Sequence, residues 1–309
     1  MVIKIKNKDQ FEKTMSPWPD LEPYGKINHC LKLNLDLFYF TAGDENNDKI
    51  ILVHGLGDEA DTWRHIILPL SKDYHVIALD LPGFGRSDHP NIAYTPDFMI
   101  KTILCLMEAL KIPSAVFIGS SLGGILTHTL AVKHPDKANG LVLVGGAVSE
   151  KQDFNNKGLS LMRIPLLGEF LYTKLRKNPM AAFKTLEDVY HNLERLPADD
   201  QSFLFNRVNQ RVWSDDQRRA YFSTLRHLFS WLKDSHPEIL GKLNSLIIPT
   251  LIIRGEYDTL FSVEAADYIR SKQPYVKTVN IEDSGHLPHQ EKPKAFLNML
   301  SDWLSKKFK

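Results

Sequence analysis

Five short, unbroken apolar runs limit the folds open to this chain. Ile50-Ile51-Leu52-Val53, Val76-Ile77-Ala78-Leu79, Ala115-Val116-Phe117-Ile118, Leu141-Val142-Leu143-Val144 and Leu251-Ile252-Ile253 contain no polar residue. A strand with one wet face alternates, whereas runs like these suit parallel strands covered on both faces. Helical patterns separate the runs, over 62–70, 96–110, 122–134 and 263–272. Strands alternating with helices predict an α/β fold, a doubly wound and mostly parallel sheet whose right-handed crossovers put helices on both faces. A last strand over 276–281 and a helix over 293–308 would close it. Residues 26–42 instead alternate, as in Leu31-Lys32-Leu33-Asn34-Leu35, and predict a half-exposed antiparallel hairpin.

Between 147 and 240 the rhythm stops. No buried-strand run occurs there, and amphipathic patterns appear over 182–196 and 214–232, the latter with Ser214 as its N-cap. A loop of this length inside a sheet domain must fold on its own. The expectation is a helical cap at 147–240 inserted into a core made of 1–146 and 241–309. Gly158 to Tyr172 is rich in large apolar residues, among them Leu161, Met162, Ile164, Leu166, Phe170 and Leu171. Such a stretch packs the cap on the core or lines an acyl pocket. Arg163, Lys174, Arg176 and Lys177 beside it leave open a lid that meets a membrane.

A net charge of +1 gives no broad case for nucleic acid or an anionic membrane as partner. No run of about 18 apolar residues is present, so no stable membrane insertion is expected. The start, Met1 to Asp9, lacks the apolar core of a secretory signal. Cys30 falls in a strand-like stretch and Cys105 on the apolar side of a helix, and both read as reduced core residues. A cytoplasmic location follows as the expectation. Neither a cofactor pattern nor a metal pattern is present.

Ser121 lies in Gly119-Ser120-Ser121-Leu122-Gly123, between the apolar run 115–118 and the helical pattern 122–134. A glycine-flanked serine at a strand-to-helix turn is the setting of a nucleophile elbow, where the hydroxyl stands clear of a sharp bend. Three more landmarks follow other strands: His54-Gly55-Leu56-Gly57, the loop Asp80-Leu81-Pro82-Gly83-Phe84-Gly85-Arg86-Ser87-Asp88, and Gly255-Glu256-Tyr257-Asp258 with Ser284-Gly285-His286 near the end. In this order, over nearly the whole chain, they resemble the α/β-hydrolase superfamily.

The resemblance implies a set of roles. Ser121 would be the nucleophile, Asp258 the acid and His286 the base, in the chain order Ser, Asp, His. The backbone N–H groups of Leu56 and Leu122 would form the oxyanion hole. His289 is the nearest rival histidine but lacks the preceding Ser-Gly, while Glu256 and Asp283 are the neighbouring acids. His54 and the Asp80–Asp88 loop read as structural, with Arg86 tying the loop down, and Trp63 reads as a packing aromatic. The implied function is a serine hydrolase acting on a carboxylic ester of a small to medium, partly apolar molecule. Two alternatives stay open: a carbon–carbon bond hydrolase of ring-cleavage products, and a ligand-binding protein that retains the fold.

Overall fold

The computed structural model describes residues 15–150, 157–234 and 236–307, so the reading of Met1 to Asp9 lies outside the described residues. Eight strands form one sheet: β1 (Gly25–Cys30), β2 (Leu35–Ala42), β3 (Lys49–Val53), β4 (His75–Leu79), β5 (Ala115–Ser120), β6 (Ala138–Val144), β7 (Thr250–Gly255) and β8 (Val276–Ile281). Their spatial order is β1-β2-β4-β3-β5-β6-β7-β8. From β4 to β8 every pairing is parallel, and only the β1–β2 and β2–β4 pairings are antiparallel. The alternating stretch is thus the antiparallel edge. Its turn falls at 31–34, with Asn34 in the left-handed region and Leu31 exposed.

Because side chains alternate across a strand, each apolar run feeds two cores. Ile51, Val53, Phe117, Leu141 and Leu143 pack with α2 (Pro96–Ala109), α3 (Leu122–Lys133) and α10 (Val263–Lys272). Ile50, Leu52, Val116, Ile118 and Val142 pack on the other face with α1 (Ile67–Leu70) and α11 (Pro293–Lys307), through Phe296, Leu300 and Trp303. Burial on both faces is what the unbroken runs require. The expected helix over 62–70 is instead a 3-10 turn, Ala60–Trp63, followed by the short α1.

Between β6 and β7 the chain leaves the sheet and forms α4 (Lys157–Met162), α5 (Leu167–Lys174), α6 (Pro179–Lys184), α7 (Ala198–Trp213), α8 (Asp215–Asp234) and α9 (His236–Lys242). This helical insertion has the composition expected of a cap. Ser214 caps α8 by accepting from the Gln217 N–H at 3.2 Å. The helix expected over 182–196 does not form, and two 3-10 turns, Thr185–Asp188 and Leu193–Arg195, take its place. Tertiary hydrogen bonds override the amphipathic pattern there. The Val189 carbonyl accepts from the His286 N–H at 2.9 Å, and the His191 and Asn192 N–H groups donate to Glu291. The 16-residue α7 (Ala198–Trp213) was not anticipated from the sequence.

The reading of two reduced cysteines is corrected. Cys30, at the end of β1, and Cys105, on the face of α2 turned to the sheet, form a disulfide with Cα atoms 6.1 Å apart. A separation of 75 residues hides this from the sequence, since nothing local announces that α2 crosses the end of β1. The cysteine argument for a reducing compartment falls with it, because such bonds persist mainly in oxidising ones. No helix among the described residues is long and apolar enough to cross a membrane.

Two outcomes are expected. Closing a loop of this length restricts the unfolded chain, so reduction should lower the unfolding free energy by about 2–4 kcal/mol, read from urea melts with and without dithiothreitol. The second concerns His128 on α3, fully buried, which accepts from the Val148 N–H at Nδ1 and donates from Nε2 to Gln273. Burial holds its pKa down, from 6.5 to about 4. The unfolded chain therefore binds this proton first, and stability is lost as pH falls from about 6.5 to about 4. Between pH 7 and 4.5 the parent should lose on the order of 2–3 kcal/mol more than His128→Gln in urea melts.

Candidate active site

The site sits at the carboxyl ends of β3, β5, β6 and β7, the edge where open parallel sheets present their loops. Ser121 follows β5 directly and adopts φ 52°, ψ −116°, a conformation an L-residue holds only under constraint. Its N–H donates to the Val144 carbonyl at 2.8 Å. The space around the bend is filled by backbone: a Cβ on Gly146 would lie 2.2 Å from the Ser121 carbonyl oxygen, and one on Gly119 would lie 2.2 Å from that of Gly123. The elbow is therefore pinned between strands, and glycine is the only residue that lets them approach so closely.

His286 and Asp258 meet as expected. His286 Nδ1 lies 3.0 Å from Asp258 Oδ1 and 3.1 Å from Oδ2. Burial alone would raise the Asp258 carboxyl, but His286 and the N–H groups of Leu260 and Phe261 hold it below its ordinary value. Arg254 fixes this loop by donating to the backbone carbonyls of Asp258 (2.9 Å) and Phe261 (2.7 Å). The Asp258 interaction leaves His286 Nε2 facing the other way, buried and without a hydrogen-bond partner. Ser121 and His286 line one cavity of about 200 Å³, but no hydrogen bond joins them. Leu56 lines the same cavity, and Leu122 is the first residue of α3, whose N–H no intrahelical bond uses.

The rival residues lie elsewhere. His289 is buried against Trp63, ring centroids 4.3 Å apart, and bonds Thr62 at 3.0 Å; burial pushes its pKa far down. Trp63 is fully buried and packs also on Phe296. Glu256 accepts from the Asp283 N–H, and Asp283 pairs with Lys292 at 2.5 Å. His54 bonds the Gly55 carbonyl and accepts from the Leu81 N–H at 2.9 Å, a turn-holding role. Asp80 accepts from the Ala60 N–H (2.7 Å), the Arg86 N–H (2.8 Å) and Arg86 Nε (2.9 Å), so Arg86 does tie its loop down.

Sequence reasoning missed the residues that the insertion brings in. Arg211, on α7, reaches the loop after β3, donates to the Gly57 carbonyl and lies 3.7 Å from Asp58. Burial works against its charge, yet Glu59 and Asp58 outweigh that and raise its pKa. It lines both the cavity at Ser121 and an adjoining chamber of about 510 Å³. That chamber is walled mainly by apolar side chains, including Leu56, Met162, Leu171, Leu186, Val208 and Leu260. Tyr221 closes it by packing on Gly57. The sequence carries no signal for Arg211, one arginine on an otherwise ordinary amphipathic helix.

Comparison with known proteins bears on the family and the fold. The profile of a family described as alpha/beta hydrolase fold matches residues 49–293. The 2-hydroxy-6-oxo-6-(2'-aminophenyl)hexa-2,4-dienoic acid hydrolase of Metapseudomonas resinovorans is 29% identical over 286 residues, covering 87% of each chain. Epoxide hydrolase 3 of Xenopus tropicalis is 25% identical, over 87% of this chain and 75% of its own. Among solved structures, a putative lipase from Acinetobacter baumannii superposes with a TM-score of 0.76 at 21% identity, over 92% of this chain and 91% of that one.

Arg211 holds the loop that carries the Leu56 N–H, so its loss should disturb the geometry of the cavity at Ser121. Arg211→Met is expected to lower kcat by roughly ten- to a hundredfold on a small neutral ester, with KM little changed, in steady-state assays. A change confined to KM would mean that Arg211 holds substrate and not the loop.

Proposed function

Because the chain belongs to the α/β-hydrolase family, we propose that it is a serine hydrolase that cleaves a carboxylic ester of a small to medium, partly apolar substrate through an acyl-enzyme. The proposal takes 147–240 as a cap over a core of 1–146 and 241–309. It rests on one observation above the others: a serine on a constrained elbow shares a cavity with a histidine whose Nδ1 is bonded to a buried carboxylate and whose Nε2 has no partner.

A serine hydroxyl is a poor nucleophile at neutral pH and needs a base. In this reading Ser121 Oγ reaches His286 Nε2, which takes the proton as Oγ bonds to the acyl carbon. Asp258 holds the imidazole with its proton on Nδ1 and stabilises the imidazolium that forms. The tetrahedral oxyanion accepts from the N–H groups of Leu122 and Leu56. The intermediate collapses, the C–O bond breaks, and His286 returns the proton to the leaving alcohol. Water then repeats the sequence on the acyl-enzyme, releasing the acid and restoring Ser121. The chamber beside Ser121 supports a partly apolar acyl group, since the walls it offers are mostly aliphatic and aromatic.

A second reading draws on Arg211. A guanidinium at the junction of the two cavities would suit a substrate carboxylate, and the Metapseudomonas relative is by name a hydrolase of a dienoic acid. A carbon–carbon hydrolase of such acids would use the same Ser121 and His286.

Ser121→Ala should lower kcat/KM on p-nitrophenyl esters at least about a thousandfold, and the parent but not this variant should be labelled by a fluorophosphonate probe. Retained turnover in the folded variant would end the serine mechanism. Faster turnover of a vinylogous diketone acid than of any ester in a chain-length series would favour the second reading.

A further inference from the structure

We propose that the outer face of α4, α5 and the turn between them is a docking surface for a bilayer that carries anionic lipid. The attachment is to the surface, with no helix crossing the membrane, and it is independent of the hydrolase reading. Within ten positions, Leu161, Ile164, Leu166, Leu167 and Phe170 are all exposed, Leu166 at 83% and Phe170 at 56%. Monomeric soluble proteins rarely leave so much contiguous apolar side chain in water without a use for it. Leu166 sits at the tip with φ 69°, in the left-handed region that a leucine enters only at a cost. The chain therefore spends conformational energy to turn this residue outward.

Charge identifies the occupant. Between Lys157 and Lys184 the sequence carries six lysines and arginines, of which Arg176 is engaged by Asp215, and a single acidic residue, Glu169, which Arg226 engages at 2.6 Å. Arg163 and Lys174 are exposed and lie over the Phe229 and Phe170 rings, 4.0 and 4.3 Å from the centroids. Lys177 is exposed one turn further on. Long cationic side chains spread over apolar residues can reach lipid phosphates while those residues enter the headgroup boundary. A second copy of this chain is the poorer occupant, because a two-fold pairing of the patch with itself would bring these cations together. On α5 the outward positions, Leu167, Phe170 and Lys174, alternate with Leu171 and Tyr172, which with Leu175 just after the helix wall the chamber. A bilayer on this face would lie one helix away from the chamber.

The test uses the full chain and sucrose-loaded vesicles, either phosphatidylcholine alone or phosphatidylcholine with phosphatidylglycerol. Cosedimentation should be at least about tenfold stronger with the anionic vesicles and should fall with added salt. The double variant Leu166→Asp, Phe170→Asp should lose about tenfold or more of that binding while melting as the parent does, since both side chains are exposed. Lys174→Gln with Lys177→Gln should lose only the anionic increment. Ser121→Ala should bind vesicles as the parent does, which separates this proposal from the serine mechanism. Equal binding of parent and the Asp double variant would overturn it, as would no binding to anionic vesicles. Sedimentation velocity showing a dimer that the Asp variant dissociates would overturn it in favour of a second copy.

Discussion

The bend at Ser121 is the constraint from which the rest of the site is built. A backbone at φ 52° with a side chain attached costs of order 1–3 kcal/mol and persists only where its surroundings leave no alternative. Those surroundings are the two central parallel strands on either side of β5 and the first turn of α3, which approach so closely that a methyl group at Gly119, Gly123 or Gly146 would overlap backbone. The unbroken apolar runs serve this end. Because β3, β5 and β6 are covered on both faces, their positions are set by two cores at once, and the loops at their carboxyl ends inherit that rigidity. Strain of this kind needs a stiff frame, and the sheet supplies it.

The insertion is joined to that frame by apolar packing through Ala220, Leu228, Trp231 and Ile239 of α8 and α9, and on the α7 side through charge. On one face of α7, Asp200 meets Arg64 at 2.5 Å and His65 at 2.8 Å, Arg207 meets Glu59 at 2.9 Å, and Arg211 donates to the Gly57 carbonyl. All of these partners lie in the segment just after β3, which also carries Leu56. Burying charges is expensive, and a buried pair adds little net stability over apolar packing of the same volume. What it adds is register: an apolar face tolerates a slide of one turn, while a carboxylate left without its guanidinium does not. Glu59 shows the tension, since burial pushes its carboxyl up to about 7 against the pull of Arg207 and Arg211. On this side the insertion is held in one place, which keeps the wall of the Ser121 cavity fixed relative to the elbow.

What was legible in the sequence follows the same division. The central strands β3 to β7 could be read because each carries a run buried on both faces and so apolar without interruption, while the alternation over 26–42 marked the half-exposed edge. Ser121, Asp258 and His286 could be named as candidates from the resemblance, because each sits in a short, glycine-marked loop after a strand, β5, β7 and β8 in turn. The insertion could be recognised as helical but not divided correctly. The pattern over 182–196 is amphipathic, yet Val189 gives its carbonyl to His286 and the following amides go to Glu291, partners about a hundred positions away. Arg211 and the Cys30–Cys105 bond were hidden for the same reason. Their meaning depends on what lies across a gap in space, and periodicity reports only what lies along the chain.

The short helix α5 shows how one sequence pattern can answer to two demands. Earlier in the chain an apolar stretch could be explained as core, because both faces of a central strand are buried. Here the stretch from Leu161 to Leu175 is apolar on both sides of a thin helix that has protein on one side only. Leu171, Tyr172 and Leu175 are accounted for by the chamber they wall. Leu166, Leu167 and Phe170 are not accounted for by any core, and packing the insertion on the sheet does not require them. The reading of this stretch as cap packing therefore explains half of it. The remaining half, with cations laid across its rings, is apolar surface that no core of this chain removes from water.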